Sequence, residues 1–100
     1  MMPYEIEYSH DAMEHLAALT KRERQMVFDE VDQHLAHGPT SPTRKRKRLR
    51  PNLLADWELR IGDLRVYYVA QEPPMSMVSI IAVARKLGNR VFVGGEELHL

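Results

Sequence analysis

The sequence predicts one α+β domain over residues 1–100: an N-terminal strand, an antiparallel helical hairpin, then a three- to four-stranded antiparallel meander. Three observations support this fold class. Residues 4–8 alternate apolar and acidic side chains, residues 9–36 carry apolar side chains at helical spacing, and residues 57–68 alternate again. The chain length and the 44% content of apolar residues suit a single globular domain.

The two helices have clear start and stop signals. Ser9 is a good N-cap for the first helix, and Thr20 with Glu23 forms a capping box for the second. Gly38 and Pro39 end the second helix, because glycine adopts the left-handed cap conformation and proline cannot continue the helix. So short a connection between the helices predicts an antiparallel hairpin.

The second half of the chain is predicted to be mostly strand. Gly62-Asp63 separates two alternating segments and predicts a two-residue hairpin turn. The nearly continuous apolar segment 77–84 suits a strand covered on both faces, although periodicity alone also allows a buried helix. Residues 91–93 are long enough for a final edge strand, followed by an acidic tail that we interpret as a turn.

Composition excludes several classes of protein. Cysteine is absent, so neither a disulfide framework nor a thiolate zinc site can form. The first residues contain no apolar signal segment, and no segment approaches the roughly 20 apolar residues of a membrane span. We therefore expect a soluble, cytoplasmic protein with no membrane partner, no metal and no other cofactor.

The predicted hairpin assigns side chains to faces. If Gly62-Asp63 is the whole loop, Arg60 lies opposite Arg65, and Glu58 lies opposite Tyr67. The apolar residues of both strands then face the helices, and the charged residues collect on the other face. Two arginines in direct register repel each other unless an anion lies near them, and the candidates are Glu58 or a bound phosphate.

The most unusual segment is a cluster of cations in a chain of zero net charge. Six of the seven side chains at positions 44–50 are basic, and we call these residues the basic segment: Arg44, Lys45, Arg46, Lys47, Arg48 and Arg50 with Leu49. The segment leads into the charged face, so we expect its side chains to line the rim of that face and to bind RNA or the ribosome. A solvated charge run is the alternative interpretation.

Several stretches resemble the RelE/ParE toxin superfamily. They are Tyr8-Ser9 before an Ala/Leu helix, residues 57–68 (WELRIGDLRVYY) and an apolar strand that ends in Arg85-Lys86. The resemblance spans nearly the whole chain in the same order. It implies a small twisted sheet with an N-terminal helical hairpin, and an antitoxin whose extended segment wraps the toxin and covers the arginine face.

The superfamily contains two activities. RelE-like members cut messenger RNA on the ribosome and inhibit translation, positioning the 2′-hydroxyl to attack the adjacent phosphate while cations stabilise the added negative charge. ParE-like members inhibit DNA gyrase without nuclease chemistry. The shared strand motif does not separate the two. The cationic sheet face and the basic segment favour the endoribonuclease, with the gyrase inhibitor, or a degenerate toxin retained as a binding module, as the alternatives.

By resemblance, Arg65 falls on the arginine that stabilises phosphate, and Lys86 on a second catalytic cation. Arg60 and Glu58 complete the predicted catalytic set, with Glu58 as the candidate general base. A structural role is the alternative for these residues. Arg65 could hold nearby backbone carbonyls or Glu58, and Glu58 could form a salt bridge with Arg60. Tyr67 is predicted to stack on a base, or else to be an ordinary strand tyrosine.

This sequence also departs from the RelE pattern. Asp56 and Glu58 stand where RelE has two lysines, and Phe92 stands where RelE has a tyrosine. Phe92 can neither transfer a proton nor donate a hydrogen bond. Of the five histidines, only His99 is expected to reach the charged face.

Overall fold

Seven strands and two helices make up the part of the chain that the computed structural model describes, residues 2–99. They follow in the order β1 (Glu5–Tyr8), α1 (His10–Ala17), α2 (Lys21–Leu35), β2 (Arg46–Arg48), β3 (Trp57–Ile61), β4 (Leu64–Gln71), β5 (Met77–Leu87), β6 (Arg90–Val93) and β7 (Glu96–Leu98). None of the helices within these residues is long and apolar enough to cross a membrane.

Side-chain caps start both helices, as predicted. The Ser9 hydroxyl accepts a hydrogen bond from the backbone N–H of Ala12 at 3.0 Å. Thr20 and Glu23 exchange hydrogen bonds with each other's backbone N–H, both at 3.1 Å. These contacts satisfy backbone N–H groups in the first turn of each helix, which have no hydrogen-bond acceptor within the helix. The cap of α2 at Thr20 fixes its start shortly after the end of α1.

The strands form a single sheet in the order β2-β3-β4-β5-β6-β7, with every neighbouring pair antiparallel. β1 pairs in parallel with the first half of β5, and β6 pairs with the end of β5 along the same edge of that strand. The predicted α+β fold class is confirmed. The meander also contains two short strands that the sequence pattern did not reveal: β2, within the basic segment, and β7, within the acidic tail.

The main core lies between the helices and one face of the sheet. The β3–β4 register is the predicted one, with Ile61 opposite Leu64 and Trp57 opposite Tyr68. The inward side chains of both strands are almost fully buried against the apolar stripe of α2. Each buried leucine or valine contributes about 1.5–3 kcal/mol through removal from water, so this face determines which way the strands point.

A β-bulge bends the sheet in the middle of β5. Tyr67 pairs with Ala82 and Tyr68 pairs with Ile80, so Ile81 is an extra residue on β5. Bulges bend a strand and increase its twist. Beyond this bulge β6 and β7 continue the sheet, and a second apolar cluster forms on the face away from the main core: Ala55, Tyr67, Ala82 and Ala84 with Leu49, Leu54, Val91 and Leu98 packed around them. That face, expected to be open, is thus partly covered.

An ion-pair cluster ties α2 to the sheet. Arg85 on β5 contacts the Glu23 carboxylate at 2.6 Å and the Asp63 carboxylate, in the β3–β4 turn, at 2.8 Å. The hydrogen bond from Arg85, followed by that from the Thr20 backbone, lowers the pKa of Glu23 below its usual value of 4.5. Arg85 therefore joins the start of α2, the turn and β5 at one point.

We expect acid to weaken the fold through Glu23. Because the pKa of Glu23 is lower in the folded protein, its contribution is complete above about pH 4.5 and is lost as pH falls through the folded-state pKa. Glu23→Gln keeps the capping box but removes the charge, and should lower the free energy of unfolding at pH 7 by about 0.5–1 kcal/mol. Urea unfolding at pH 7 and in acid measures both effects. Glu14→Gln, at an exposed site on α1, is the control; an equal acid sensitivity in Glu23→Gln and the wild type would contradict the assignment.

Candidate functional site

A charged cluster occupies the face of β3 and β4 that points away from the helices. Arg60 lies directly opposite Arg65, and Glu58 lies directly opposite Tyr67, as the sequence predicts. The Nε of Arg60 is 3.2 Å from Glu58 Oε1, and the Nε of Arg65 is 4.0 Å from the same oxygen. The Glu58 carboxylate therefore separates the two guanidinium groups and offsets the repulsion between them.

The members of this cluster differ in their freedom to move. The side chains of Glu58 and Arg65 are each 11% exposed, whereas the Arg60 side chain is 43% exposed. Nη1 of Arg65 also donates to the carbonyl oxygens of Gly62 and Leu64, at 2.7 and 2.8 Å. Arg65 thus braces the hairpin turn, where Gly62 has a positive φ of 58°, and Arg60 is the arginine with a guanidinium free to reach a ligand.

A polar cavity of about 290 Å³ lies beside Glu58. Glu58 and Tyr67 form one wall, and the β5–β6 turn and β7 supply the rest: Asn89, Arg90, Val91, Glu97, Leu98 and His99. Arg90 and Glu97 form an ion pair at 2.6 Å, which lowers the pKa of Glu97. The cavity thus combines two carboxylates, a guanidinium, an imidazole and an amide.

The sequence pattern predicts only a turn at residues 94–97, whereas the structure has strand β7 beginning at Glu96. Gly94 and Gly95, both with positive φ, form the turn of a hairpin, and Glu96–Leu98 pairs back onto β6. Two short segments around Gly-Gly are a hairpin signal that predicts this strand. Strand β7 brings Glu97 to the wall of the cavity, and His99 follows at the edge of the cavity. The sequence predicts His99 near the charged face, but it does not predict Glu97 there.

Tyr67 does not present its ring to solvent. Its exposed fraction is 0%, and it packs among Ala55, Ala82 and Ala84. The prediction that Tyr67 stacks on a base is therefore wrong, because the second apolar cluster covers the ring. Burial, followed by the nearby negative charge of Glu58, raises the pKa of the Tyr67 hydroxyl.

The basic segment does not converge on this face, contrary to expectation. Residues 46–48 form β2, so alternate side chains point to opposite faces of the sheet. Lys47 pairs with Glu58 and shares its face, whereas Arg46 and Arg48 pair with Leu59 and Trp57 on the helix side. Strand alternation, applied to the segment itself, would have predicted this division.

The helix-side cations are bound to the protein. Arg46 donates to the carbonyl oxygens of His34 and Ser41, at 2.6 and 2.9 Å, and so closes the end of α2. Lys45 lies 3.5 Å from the Glu30 carboxylate, and Arg48 lies over the Trp57 ring at 5.5 Å. The cations of the basic segment that remain exposed without such contacts among the described residues are Arg44, Lys47 and Arg50.

Lys86 lies on β5 two residues beyond Ala84, the partner of Arg65. Because strand side chains alternate, Lys86 shares the face of Arg65 and stands one diagonal position from it. It is half-buried and forms no ion pair with a residue in the described part of the chain. Lys86 is thus placed at the rim of the charged cluster.

The fold that carries this charged cluster is a curved antiparallel meander backed by two helices. No family model matches the chain, and no curated protein sequence matches it significantly. Among solved structures, the chain is similar to the crystal structure of the toxin–antitoxin complex RelBE2 from Mycobacterium tuberculosis. The TM-score is 0.65 at 27% sequence identity, and the match covers 86% of this chain and 94% of that one. The resemblance to the RelE/ParE superfamily is confirmed.

The brace made by Arg65 predicts a stability effect. Arg65→Ala removes the two hydrogen bonds that its buried guanidinium donates to the turn carbonyls, so the free energy of unfolding should fall by about 2 kcal/mol. Arg60→Ala, at a more exposed position, should change it by less than about 0.5 kcal/mol. Urea denaturation of the two variants tests the difference, and equal midpoints would show that Arg65 does not support the turn.

Proposed function

We propose that this chain is the toxin of a toxin–antitoxin pair and that it inhibits translation as a ribosome-dependent endoribonuclease. The observation that supports this most directly is the Glu58 carboxylate, shielded from water, flanked by two guanidinium groups and facing a polar cavity. A carboxylate in that position can accept a proton, and the adjacent cations can stabilise negative charge on a phosphate. RNA cleavage requires both.

The reaction follows from this arrangement. Glu58 accepts the proton of a ribose 2′-hydroxyl, whose oxygen bonds to the adjacent phosphorus as the bond to the 5′-oxygen breaks. The leaving 5′-oxygen takes a proton from His99, at the edge of the cavity. The products are a 2′,3′-cyclic phosphate and a 5′-hydroxyl, with no metal or cofactor consumed.

The cations have separate roles in this scheme. Arg60 moves from Glu58 to the phosphate, because its guanidinium is the exposed one. Arg65 stays on the turn carbonyls and holds Glu58 in place. Lys86, at the rim, supplies the second cation that contacts the substrate.

The proposed partners follow from charge and from the structural neighbour, which is a toxin–antitoxin complex. An antitoxin with an acidic extended segment would cover Arg60 and the charged face. Arg44, Lys47 and Arg50, the exposed part of the basic segment, are suited to ribosomal RNA or messenger RNA. The proposed location is accordingly the cytoplasm.

Glu58→Gln should abolish cleavage while leaving the fold intact, because the amide fills the same space but cannot accept the 2′-hydroxyl proton. The measurement is incubation with translating ribosomes followed by mapping of the 5′ ends of cut messages. We expect a loss on the order of 100-fold or more. Asp56→Asn, at the exposed neighbouring acid, is the matched control and should cleave normally.

The same samples separate the alternatives. Intact messages together with blocked DNA supercoiling by purified gyrase would indicate a gyrase inhibitor. Intact messages, normal supercoiling and harmless expression of the folded chain would indicate a binding module. Either result would contradict the endoribonuclease.

The division of the basic segment predicts a difference between neighbouring lysines. Lys47→Glu should weaken ribosome binding about 10-fold at low salt, because Lys47 is exposed on the charged face. Lys45→Glu should weaken it less, because Lys45 already neutralises Glu30 on the other side of the sheet. Ribosome pelleting across a salt series measures both affinities. Equal losses for the two variants would indicate that the segment acts only through its total charge.

A further inference from the structure

The outer edge of the sheet contains a cationic cavity, separate from the one beside Glu58. β2 is the edge strand, and a cavity of about 340 Å³ lies against it. No acidic side chain among the described residues lines this cavity, and most of its wall is basic: Lys47, Arg48 and Arg50, with Leu49 and Asn52. A cavity of this composition favours a negatively charged ligand.

The backbone of β2 adds a hydrogen-bond donor to the cavity. Lys45 and Leu49 form backbone hydrogen bonds with β3 and the residue before it. Because backbone groups alternate in direction along a strand, the N–H of Arg48 points outward from the edge of the sheet. Lys47 and Arg48 point to opposite faces, so their side chains flank this N–H group from both sides.

Arg48 is held in position before any ligand binds. Its guanidinium lies over the Trp57 ring at 5.5 Å, and that ring is buried and stacked on Tyr68 at 6.3 Å. Stacking uses the face of the guanidinium and leaves the N–H groups along its edge for an anion. Since the Arg48 side chain is exposed, Trp57 orients a fork of donors that matches the geometry of a phosphate.

Asn52 orders the loop that forms the other wall. Its amide nitrogen donates to the carbonyl oxygens of Arg50 and Ala55, at 2.8 and 2.9 Å. Its amide oxygen accepts from the backbone N–H groups of Leu54 and Ala55, at 2.7 and 3.1 Å. The backbone of Arg50 is therefore fixed beside the cavity, and a site ordered in advance loses less entropy on binding.

We propose that this cavity is a phosphate-binding site, in which Lys47, Arg48 and Arg50 contact one phosphodiester group of an RNA strand. The inference rests on the proposed function, since RNA supplies the phosphate. Lys47 lies directly opposite Glu58, one strand spacing of about 4.8 Å away. An RNA strand bound at Glu58 therefore continues over Lys47 to the edge of β2, where the site positions the strand without taking part in cleavage.

An RNA that cannot be cleaved measures this site. The probe is a labelled 2′-O-methyl RNA hexanucleotide, titrated into the full-length protein and followed by fluorescence anisotropy across a salt series. Arg48→Gln should weaken binding about 10-fold and lower the salt dependence by about one phosphate contact. Arg48→Lys should recover only part of the affinity, because lysine restores the charge but not the planar fork.

Two variants remove the same charge elsewhere. Arg44→Gln, in the basic segment but outside the cavity, should weaken binding by only about 2-fold. Arg22→Gln, exposed on α2, should leave the affinity unchanged. Urea midpoints check the folding of each variant. Arg50→Gln repeats the test at a side chain that does not contact Trp57, so loss of the stacked contact cannot explain weaker binding at both positions.

Trp57 provides an independent signal, since it is the single tryptophan of the chain and lies under Arg48. Its fluorescence in the wild type should change as the hexanucleotide binds. Inorganic phosphate at higher concentration should produce the same change and compete with the hexanucleotide.

Three results would overturn the inference. Equal losses for Arg48→Gln and Arg44→Gln would mean that only total charge matters, and unchanged Trp57 fluorescence would mean that RNA does not reach Arg48. Hexaglutamate that binds as tightly as the RNA, and equally through Arg48, would mean that the site takes an acidic peptide. The cleavage assay tests the proposed function separately: if the wild type cuts no message but binds the hexanucleotide through Arg48, the endoribonuclease fails and the phosphate site stands.

Discussion

The two-residue turn at Gly62 and Asp63 sets the register of β3 and β4, and the charged face depends on that register. Side chains alternate along a strand, so a shift of one residue would exchange the two faces. Leu59 and Val66 would move to solvent, and Arg60 and Arg65 would move under the helices. Burial of the apolar side chains, the positive φ of Gly62 and the Arg65 brace all favour the same register.

The arginine pair is the consequence of that register, and Glu58 makes it tolerable. Two guanidinium groups in direct opposition need an anion, and in this structure the anion is the Glu58 carboxylate. The two arginines are not equivalent, since Arg65 is committed to the turn and Arg60 is exposed. In the proposed reaction this one carboxylate serves two purposes: it neutralises the pair in the free protein, and it becomes available when Arg60 binds a phosphate instead.

The bend of the sheet at the β5 bulge forms the cavity beside the charged cluster. The bulge at Ile81 bends β5, and the β6–β7 hairpin beyond it brings Glu97 and His99 to the cavity that Glu58 also lines. Apolar side chains cover the Tyr67 ring beside the same bend, and the Glu58 carboxylate lies near its hydroxyl. One irregularity in one strand therefore accounts for the buried tyrosine and the polar pocket together.

Four features can be predicted from the order of the amino acids: the helix caps, the hairpin turn, the pairing of Arg60 with Arg65 and the face that each β3 and β4 side chain occupies. These features depend on neighbours within a few residues, where spacing and capping chemistry are sufficient. Three other features emerge only in the folded chain: β1 lies parallel to β5, the basic segment divides between two faces, and β7 completes the cavity. Periodicity states which side chains share a face, but not which distant segment will cover it. That depends on the bend of the whole sheet, and for this reason Tyr67 is buried where its pattern predicted an exposed ring.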